Sequence, residues 1–251
     1  MKTLKEKLYN KEQQFGTWCI LRCPEVVSVL TKSGLDYVLI DFEHSPVSVE
    51  TAQKMVMAAH SEGKYAVSRV GKLEEVEILR SLDINSDGII IPHIESLDDI
   101  NTALSYVKYY PKGNRGYSPY TFAGGYCVQK DYTQNANQNV LFGIIIESKK
   151  GIDNLDEILS SPDLDLVYLG AYDISISLGL PGLINHPDVV KVLDYCTEKI
   201  KKAGKIVGAM YHTKENYERF TKQGVDFLVY KVDSLMINES LRDIRTVKGE
   251  E

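Results

Sequence analysis

Two carboxylates, Glu147 and Asp173, follow two consecutive apolar runs of the chain, and the first of them closes the run "LFGIIIE". If these runs are neighbouring strands, the carboxylates lie close together and repel each other unless a proton or a cation lies between them. Two carboxylates completed by water form a hard-oxygen site that suits Mg²⁺ or Mn²⁺ and leaves positions open for a bidentate 2-oxo acid. The alternative is that Asp173 caps the following helix and Glu147 pairs with Lys149 or Lys150.

Three further side chains could act on such a ligand, one of them oriented by an aspartate. Arg69 lies on an apolar run, where an unpaired cation is unfavourable, so it either neutralises a core carboxylate or points into a site. In a site, its fork can hold a carboxylate or a developing enolate oxygen. His44 follows the apolar part of "YVLIDFEHSP" and is a candidate general base that Asp41 or Asp83 would orient. Lys231 keeps open a Schiff-base mechanism, in which a desolvated lysine attacks a carbonyl.

Apolar, β-rich runs alternate along the chain with segments of helical periodicity. Their continuous apolar character is typical of strands buried on both faces of a parallel sheet. This alternation predicts an α/β fold, a (β/α)8 TIM barrel forming one domain over residues 1–251, with catalytic residues at the carboxyl ends of the strands. A doubly wound open sheet is the alternative, although no glycine-rich phosphate-binding motif follows the first run. The runs are 17–21, 37–41, 65–70, 88–92, 141–147, 164–170, 205–210 and 226–230.

The segment 111–139 interrupts this alternation. It shows no clear helix or strand pattern and is rich in Gly, Tyr, Asn and Gln. Structureless connections of this length are usually functional or disordered. The aromatic residues of the segment favour a packed, functional lid over a disordered loop. The start of the chain, "MKTLKEKLYNKEQQFG", is predicted to form an amphipathic helix.

The composition is ordinary for a globular protein, with 251 residues, 43% of them hydrophobic and 25% charged. The formal net charge of -6 disfavours sequence-independent binding to nucleic acids or anionic membranes. No segment reaches the roughly 20 apolar residues of a membrane span, and the basic start lacks the apolar run of a signal peptide. The four cysteines have no paired spacing, so we expect reduced thiols and a cytoplasmic protein that binds small molecules.

Taken together, these residues resemble one family, the metal-dependent (class II) 2-oxo-acid aldolases of the HpcH/HpaI aldolase and citrate lyase superfamily. The similar stretches occur in order between about residues 15 and 245, which is more specific than any single motif. They are "GTW", "GLDYVLIDFEHSP", "SRV", "LDINSDGIIIPHIES", "YYPKGNRGYS", "IIIESKKGIDNLDEIL", "LGAYDISISLG" and "HP".

The resemblance implies a (β/α)8 barrel that reversibly cleaves a 4-hydroxy-2-oxo acid, such as 4-hydroxy-2-oxo-heptanedioate, to pyruvate and an aldehyde. It assigns the metal to Glu147 and Asp173, with Mg²⁺ or Mn²⁺ expected and Co²⁺ as a further option. It also implies a homo-oligomer, a hexamer or trimer, in which the last helix, about 234–248, is exchanged between subunits.

By position, the resemblance also assigns catalytic roles. Arg69 would hold the pyruvate enolate, and His44 would perform the acid/base step with Asp41 and Asp83 as its supporting acids. Substrate contacts are expected from Trp18, Arg69, Ser118, Ala171, Tyr172 and Asp173.

Three positions depart from the family's pattern. Ile145 stands where many relatives have a glutamine, Ala171 replaces a proline, and Lys231 replaces a small residue. These changes indicate that enolate formation is retained while the substrate pocket is altered. A related lyase, a biosynthetic aldolase or decarboxylase on the same metal-enolate site, and a catalytically silent barrel acting as a binding protein remain alternatives.

Overall fold

The eight predicted strands form a closed parallel barrel in a computed structural model of the chain, which describes residues 2–242. Each strand pairs with its neighbours in sequence, and β1 closes the barrel by pairing with β8. The predicted (β/α)8 architecture is therefore confirmed. The strands are β1 Gln14–Cys19, β2 Tyr37–Asp41, β3 Tyr65–Arg69, β4 Gly88–Ile91, β5 Leu141–Ile146, β6 Leu166–Leu169, β7 Ile206–Tyr211 and β8 Phe227–Val232.

Helices follow the strands and return the chain to the start of the next strand. Their boundaries agree with local chemistry: Pro24 opens α2, the Ser48 hydroxyl accepts a hydrogen bond from the amide of Thr51 at the start of α3, and Gly224 ends α11 in the left-handed conformation. The helices are α1 Leu4–Tyr9, α2 Pro24–Lys32, α3 Val49–Ser61, α4 Glu75–Asp83, α5 Leu97–Val107, α6 Tyr132–Asn139, α7 Lys149–Asp153, α8 Leu155–Leu159, α9 Ala171–Ser177, α10 Pro187–Lys202, α11 Lys214–Gln223 and α12 Asp233–Ser240.

The amino-terminal end of the barrel is closed by α1. Its two leucines, Leu4 and Leu8, are fully buried and belong to the same hydrophobic cluster as the inward-facing strand residues. Lys5 and Tyr9, on the same helix, bind the carboxylate of Asp165 just before β6, at 2.8 Å each. Access to the barrel interior is therefore left to the opposite, carboxyl end of the strands.

The segment 111–139 differs from its prediction in two ways. It contains the helix α6, and it lies at the amino-terminal end of the barrel, where α6 contacts α1. Lys108, at the end of α5, donates a hydrogen bond to the carbonyl of Asn137 in α6 at 2.8 Å. The reason is topological: α5 runs antiparallel to the strands and so delivers the chain to the end opposite the mouth. The segment 111–139 is therefore not a lid over the mouth of its own barrel, and this prediction is wrong.

The chain after β8 is described only in part. The predicted last helix, about 234–248, begins as α12, and the part of the prediction beyond residue 242 lies outside the described residues. None of the helices between residues 2 and 242 combines the length and the hydrophobicity that a bilayer-spanning helix needs.

Candidate active site

A cavity of about 400 Å³ opens at the carboxyl ends of the strands. Most of the predicted site residues line it because each follows, or ends, a different strand of the closed barrel. Side chains far apart in sequence thus converge on one volume. The predicted residues that line the cavity are Trp18, Asp41, His44, Arg69, Glu147, Ala171, Tyr172 and Asp173.

Two predicted residues do not line this cavity. Asp83 is the last residue of α4, and its carboxylate accepts a hydrogen bond from Arg115 at 2.7 Å. Ser118 belongs to the segment at the amino-terminal end, where its carbonyl accepts a hydrogen bond from Thr121. Because α4 runs antiparallel to the strands, its last residue lies at the end away from the mouth. The expectation that Asp83 orients His44 therefore does not hold within this chain.

Arg69 is held rigidly at the bottom of the cavity. Its Nε and Nη2 donate to the two oxygens of Asp41 at 2.9 and 2.5 Å, and its Nη1 lies 3.0 Å from Oε2 of Glu43. The guanidinium carbon lies 4.4 Å from the ring centre of Trp18, a cation–π geometry. Burial disfavours the charged form, but the hydrogen bond and charge of Asp41 and the charge of Glu43 outweigh it, so the pKa of Arg69 is raised. The arginine is a fixed positive charge in the cavity wall.

Asp41 also shapes the turn that follows β2. Its Oδ1 accepts hydrogen bonds from the backbone amides of Glu43 and His44 at 2.9 and 3.2 Å. The carboxylate therefore contacts the backbone of His44 rather than its imidazole, and the His44 side chain is exposed at the rim. The acid/base role of His44 stays a prediction.

Glu43 and His93 form a bridge that the sequence did not reveal. Glu43 Oε1 lies 2.8 Å from Nε2 of His93, whose Nδ1 lies 2.8 Å from Oε1 of Glu147. The chain of charged and polar groups therefore runs without a break from Asp41 through Arg69 to Glu147. From the sequence, Glu43 and His93 could be placed after β2 and β4, the two neighbours of β3. Their pairing depends on side-chain directions, which a single sequence does not specify.

Glu147 is a buried carboxylate with few compensating contacts. Its Oε1 accepts a hydrogen bond from the backbone amide of His93 at 2.8 Å. Burial raises the pKa of Glu147, the His93 amide and ring oppose this, and the negative charges of Asp173 and Glu43 raise the pKa further. Gly170 provides the space beside Glu147, since a Cβ atom there would lie only 2.8 Å from the Glu147 Cβ.

The alternative pairing of these carboxylates is wrong. Lys149 binds Asp153, and Lys150 binds Glu95, so neither lysine neutralises Glu147. Asp173 lies in the first turn of α9, which has no side-chain cap. Among residues 2–242, no group of three or more His, Cys, Asp or Glu side chains is placed to ligate a metal ion. A divalent cation here would have two carboxylate ligands, which fits the donor set and the raised pKa of Glu147, whose burial His93 offsets only in part.

Lys231 does not line the cavity and forms an ion pair with Glu239 of α12. The hydrogen bond with Glu239 raises the pKa of Lys231 even though burial opposes it. A Schiff-base lysine must instead lose its proton easily. The geometry at this position therefore gives the Schiff-base alternative no support.

The fold and this site define a (β/α)8-barrel enzyme with the buried Glu147, the neighbouring Asp173 and one fixed arginine at its mouth. The chain belongs to the HpcH/HpaI aldolase/citrate lyase family, whose profile matches residues 14–238. It is accordingly an enzyme of the lyase class.

Several characterised proteins are similar over nearly the whole chain. The 5-keto-4-deoxy-D-glucarate aldolase of Enterobacter sp. (strain 638) is 31% identical over 229 residues, which cover 91% of this chain and 90% of the relative. An HpcH/HpaI aldolase/citrate lyase family protein from Burkholderia cenocepacia J2315 is 26% identical, with a TM-score of 0.91 and 98% of each chain covered. The citrate synthase SbnG is also 26% identical, with a TM-score of 0.90 and coverage of 98% of this chain and 97% of SbnG.

Proposed function

We propose that the protein is a divalent-metal-dependent aldolase that reversibly cleaves a 4-hydroxy-2-oxo acid to pyruvate and an aldehyde. The observation that carries this proposal is the buried carboxylate of Glu147, beside Asp173, in one cavity with the fixed cation Arg69. The similarity to 5-keto-4-deoxy-D-glucarate aldolases supports the same reaction class.

In this proposal, Glu147 and Asp173 hold the metal, Mg²⁺ or Mn²⁺, with Co²⁺ as a further option. When bound, such an ion acts as a Lewis acid on the 2-oxo group and so stabilises negative charge there. Gly170 leaves the Glu147 side chain room to reach the cavity. Trp18, Ala171 and Tyr172, which line the same cavity, contact the substrate.

The protein's own groups then move one proton and stabilise one charge. His44 at the rim takes the proton of the 4-hydroxyl group. The bond between C3 and C4 breaks, its electron pair becomes the double bond of the pyruvate enolate, and C4 leaves as the aldehyde carbonyl. Arg69, held by Asp41 and Glu43, places its charge where the enolate oxygen becomes negative. His44, now protonated, returns this proton to C3 and so completes pyruvate. Asp83 and Ser118 take no part in this site within one chain.

Deuterium exchange tests the enolate step alone. The full-length protein is incubated with pyruvate, D₂O and Mg²⁺ or Mn²⁺, and the methyl signal is followed by NMR. We expect metal-dependent loss of the methyl signal, which Glu147→Gln abolishes. The matched control is Glu157→Gln on the surface of α8, which should exchange like the wild type. Absence of exchange with every divalent ion contradicts the proposal and favours the binding-protein alternative.

A related enzyme that joins the enolate to a different partner is the second candidate. It is favoured by the 26% identity to the citrate synthase SbnG and by Ile145 in the cavity wall. Deuterium exchange without turnover of any 4-hydroxy-2-oxo acid would favour this biosynthetic reaction, or a decarboxylase, over the aldolase.

We further propose that the protein is a cytoplasmic homo-oligomer, a hexamer or trimer. Exposed aromatic side chains at the amino-terminal end of the barrel support an assembled state, since large exposed apolar patches mark interaction sites. The large exposed side chains at this end of the barrel include Tyr110, Tyr117, Tyr120, Tyr126 and Val128.

A further inference from the structure

The strands that line the cavity divide it into two halves: a charged half, which also contains Ile145, Tyr168 and Leu169, and an apolar half without charged residues. The charged half comes from strands β2, β3, β5 and β6, which carry or precede Asp41, Arg69, Glu147 and Asp173. The other half comes from β7, β8 and β1, which are contiguous because the barrel closes in sequence order. This second half presents Met210, Val232, Trp18 and Ile20 to the cavity.

Arg69 is the one lysine or arginine that lines the cavity in the described part of the chain, residues 2–242. All three of its guanidinium nitrogens already have partners, because Asp41 binds two of them and Glu43 lies beside the third. One carboxylate of a substrate can still be held between the metal ligands and this guanidinium. No further lysine or arginine among residues 2–242 lines the cavity to hold a second carboxylate.

Two basic residues at the ends of β7 and β8, beyond the apolar half, also have partners. Lys231 is paired with Glu239. His212 lies 3.4 Å from the hydroxyl of Tyr172 at the rim, and burial together with the charge of Lys231 lowers the pKa of His212. Burial and the neighbouring charge therefore disfavour the cationic form of His212. Neither group offers a free positive charge to an anion in the cavity.

The physical consequence concerns the second product of cleavage. An ionised carboxylate placed against hydrocarbon without a partner loses its hydration and gains nothing in return. An apolar side chain in the same place gains from leaving water. The enolate half of the substrate requires the charged wall, so the aldehyde half occupies the apolar wall.

We propose that the aldehyde half carries an uncharged, apolar side chain, so that the substrate is a 4-hydroxy-2-oxo monocarboxylate. This inference rests on the proposed aldolase function and refines it. It separates this chain from relatives named for 5-keto-4-deoxy-D-glucarate, which is a dicarboxylate.

A pair of isosteric aldehydes tests the proposal in the condensation direction. Pyruvate and Mg²⁺ or Mn²⁺ are supplied with either 4-methylpentanal or 4-oxobutanoate. The first aldehyde ends in an isopropyl group, and the second carries a carboxylate in the same place. We expect kcat/KM for 4-methylpentanal to exceed that for 4-oxobutanoate by at least about tenfold, as unpaired charge in an apolar subsite predicts. Equal or faster use of 4-oxobutanoate overturns the proposal.

Deuterium exchange into pyruvate distinguishes failure of the monocarboxylate proposal from failure of the aldolase proposal. Exchange combined with equal use of both aldehydes removes only the monocarboxylate inference. Absence of exchange removes the aldolase function and this inference with it.

A substitution in the apolar wall gives an independent test. Met210→Lys places a cation beside the aldehyde half, and Met210→Gln is the uncharged control of similar length. We expect the ratio of kcat/KM for 4-oxobutanoate to that for 4-methylpentanal to be at least about tenfold higher in Met210→Lys than in Met210→Gln. Equal ratios in two variants that both catalyse exchange contradict the proposal. If either variant does not fold, the wild-type ratio decides the question.

Discussion

A single carboxylate, Asp41, organises the residues around the proposed reaction centre. It binds Arg69 through both of its oxygens and fixes the turn through the amides of Glu43 and His44. The arginine is thereby oriented before any substrate arrives. Preorganised charge of this kind stabilises a transition state without reorganisation at the moment of reaction.

Arg69→Lys tests this preorganisation. Lysine keeps the positive charge but cannot bind both oxygens of Asp41 while facing Glu43. We expect kcat/KM to fall by about 10²-fold to 10³-fold, in the range of losing one oriented donor to a developing oxyanion. Steady-state kinetics of cleavage provide the measurement. The matched control is Arg80→Lys on the exposed side of α4, and a loss of less than about threefold in Arg69→Lys would contradict the assigned role.

The position of a side chain at the mouth of the barrel could be predicted where the residue ends or follows a strand, because catalytic residues of a (β/α)8 barrel lie there. For residues elsewhere in the chain this rule gave no guidance. Arg69 and Glu147 end or follow strands, so the rule alone placed them at the mouth. Asp83 ends a helix, and helices return to the opposite end. The bridge between Glu43 and His93 depends on side-chain rotamers, which the order of residues along the chain does not determine.

At the scale of elements, hydrophobic runs located the strands well. The run 37–41 coincides with β2, whereas β1 starts at Gln14 rather than residue 17. Gln14 is buried at the end closed by α1, a context that a local pattern cannot show. The helix α6 was missed because it is polar and rich in asparagine and glutamine. Its stability comes from packing, as with the buried Tyr132 against Tyr109, rather than from intrinsic propensity.

Gly16→Ala probes the packing of β1 on β2. A Cβ atom at residue 16 would overlap the ring of Tyr37, which is fully buried and stacks on Phe227 with ring centres 4.3 Å apart. The ring cannot move away, so we expect a loss of about 1–3 kcal/mol in the free energy of unfolding. Urea unfolding measures it. Gly116→Ala, whose nearest atom would be 3.6 Å away, is the control, and equal effects would argue against the close contact.

Lys108, which joins α5 to α6, predicts a pH dependence of stability. Burial, and to a lesser extent the charge of Lys5, lowers the pKa of Lys108 from 10.5 to about 8. Between these values the unfolded chain binds more protons than the folded one, so this group makes stability rise with pH from about 8 to 10.5.

Lys108→Met removes that contribution. The stability of Lys108→Met relative to the wild type should be highest at pH 7 and should fall, by on the order of 3 kcal/mol in total, as pH rises through this window. Urea unfolding of both proteins at pH 7, 9 and 10 provides the comparison. A stability difference that does not change with pH would show that Lys108 keeps its ordinary pKa in the folded state.

For the whole molecule, the proposed assembly predicts a mass. Light scattering on the eluting protein should give three or six times the 28.3 kDa of one chain. Tyr120→Lys introduces charge into the exposed aromatic segment and should lower that mass, because charge opposes burial of the patch. The control is Tyr195→Lys, another exposed tyrosine on α10. A wild-type mass of one chain would exclude the assembly.

The closure of the barrel by α1 and β8 has a consequence for how the protein is made. Leu4 and Leu8 leave the ribosome long before β8, yet the barrel that buries them is completed only when Phe227–Val232 emerges. Until then β1 lacks one of its two neighbours, and both leucines face water. Such exposed apolar surface is what chaperones recognise on incomplete chains. Helix α1 is therefore synthesised before the barrel but reaches its final environment only after β8 is made.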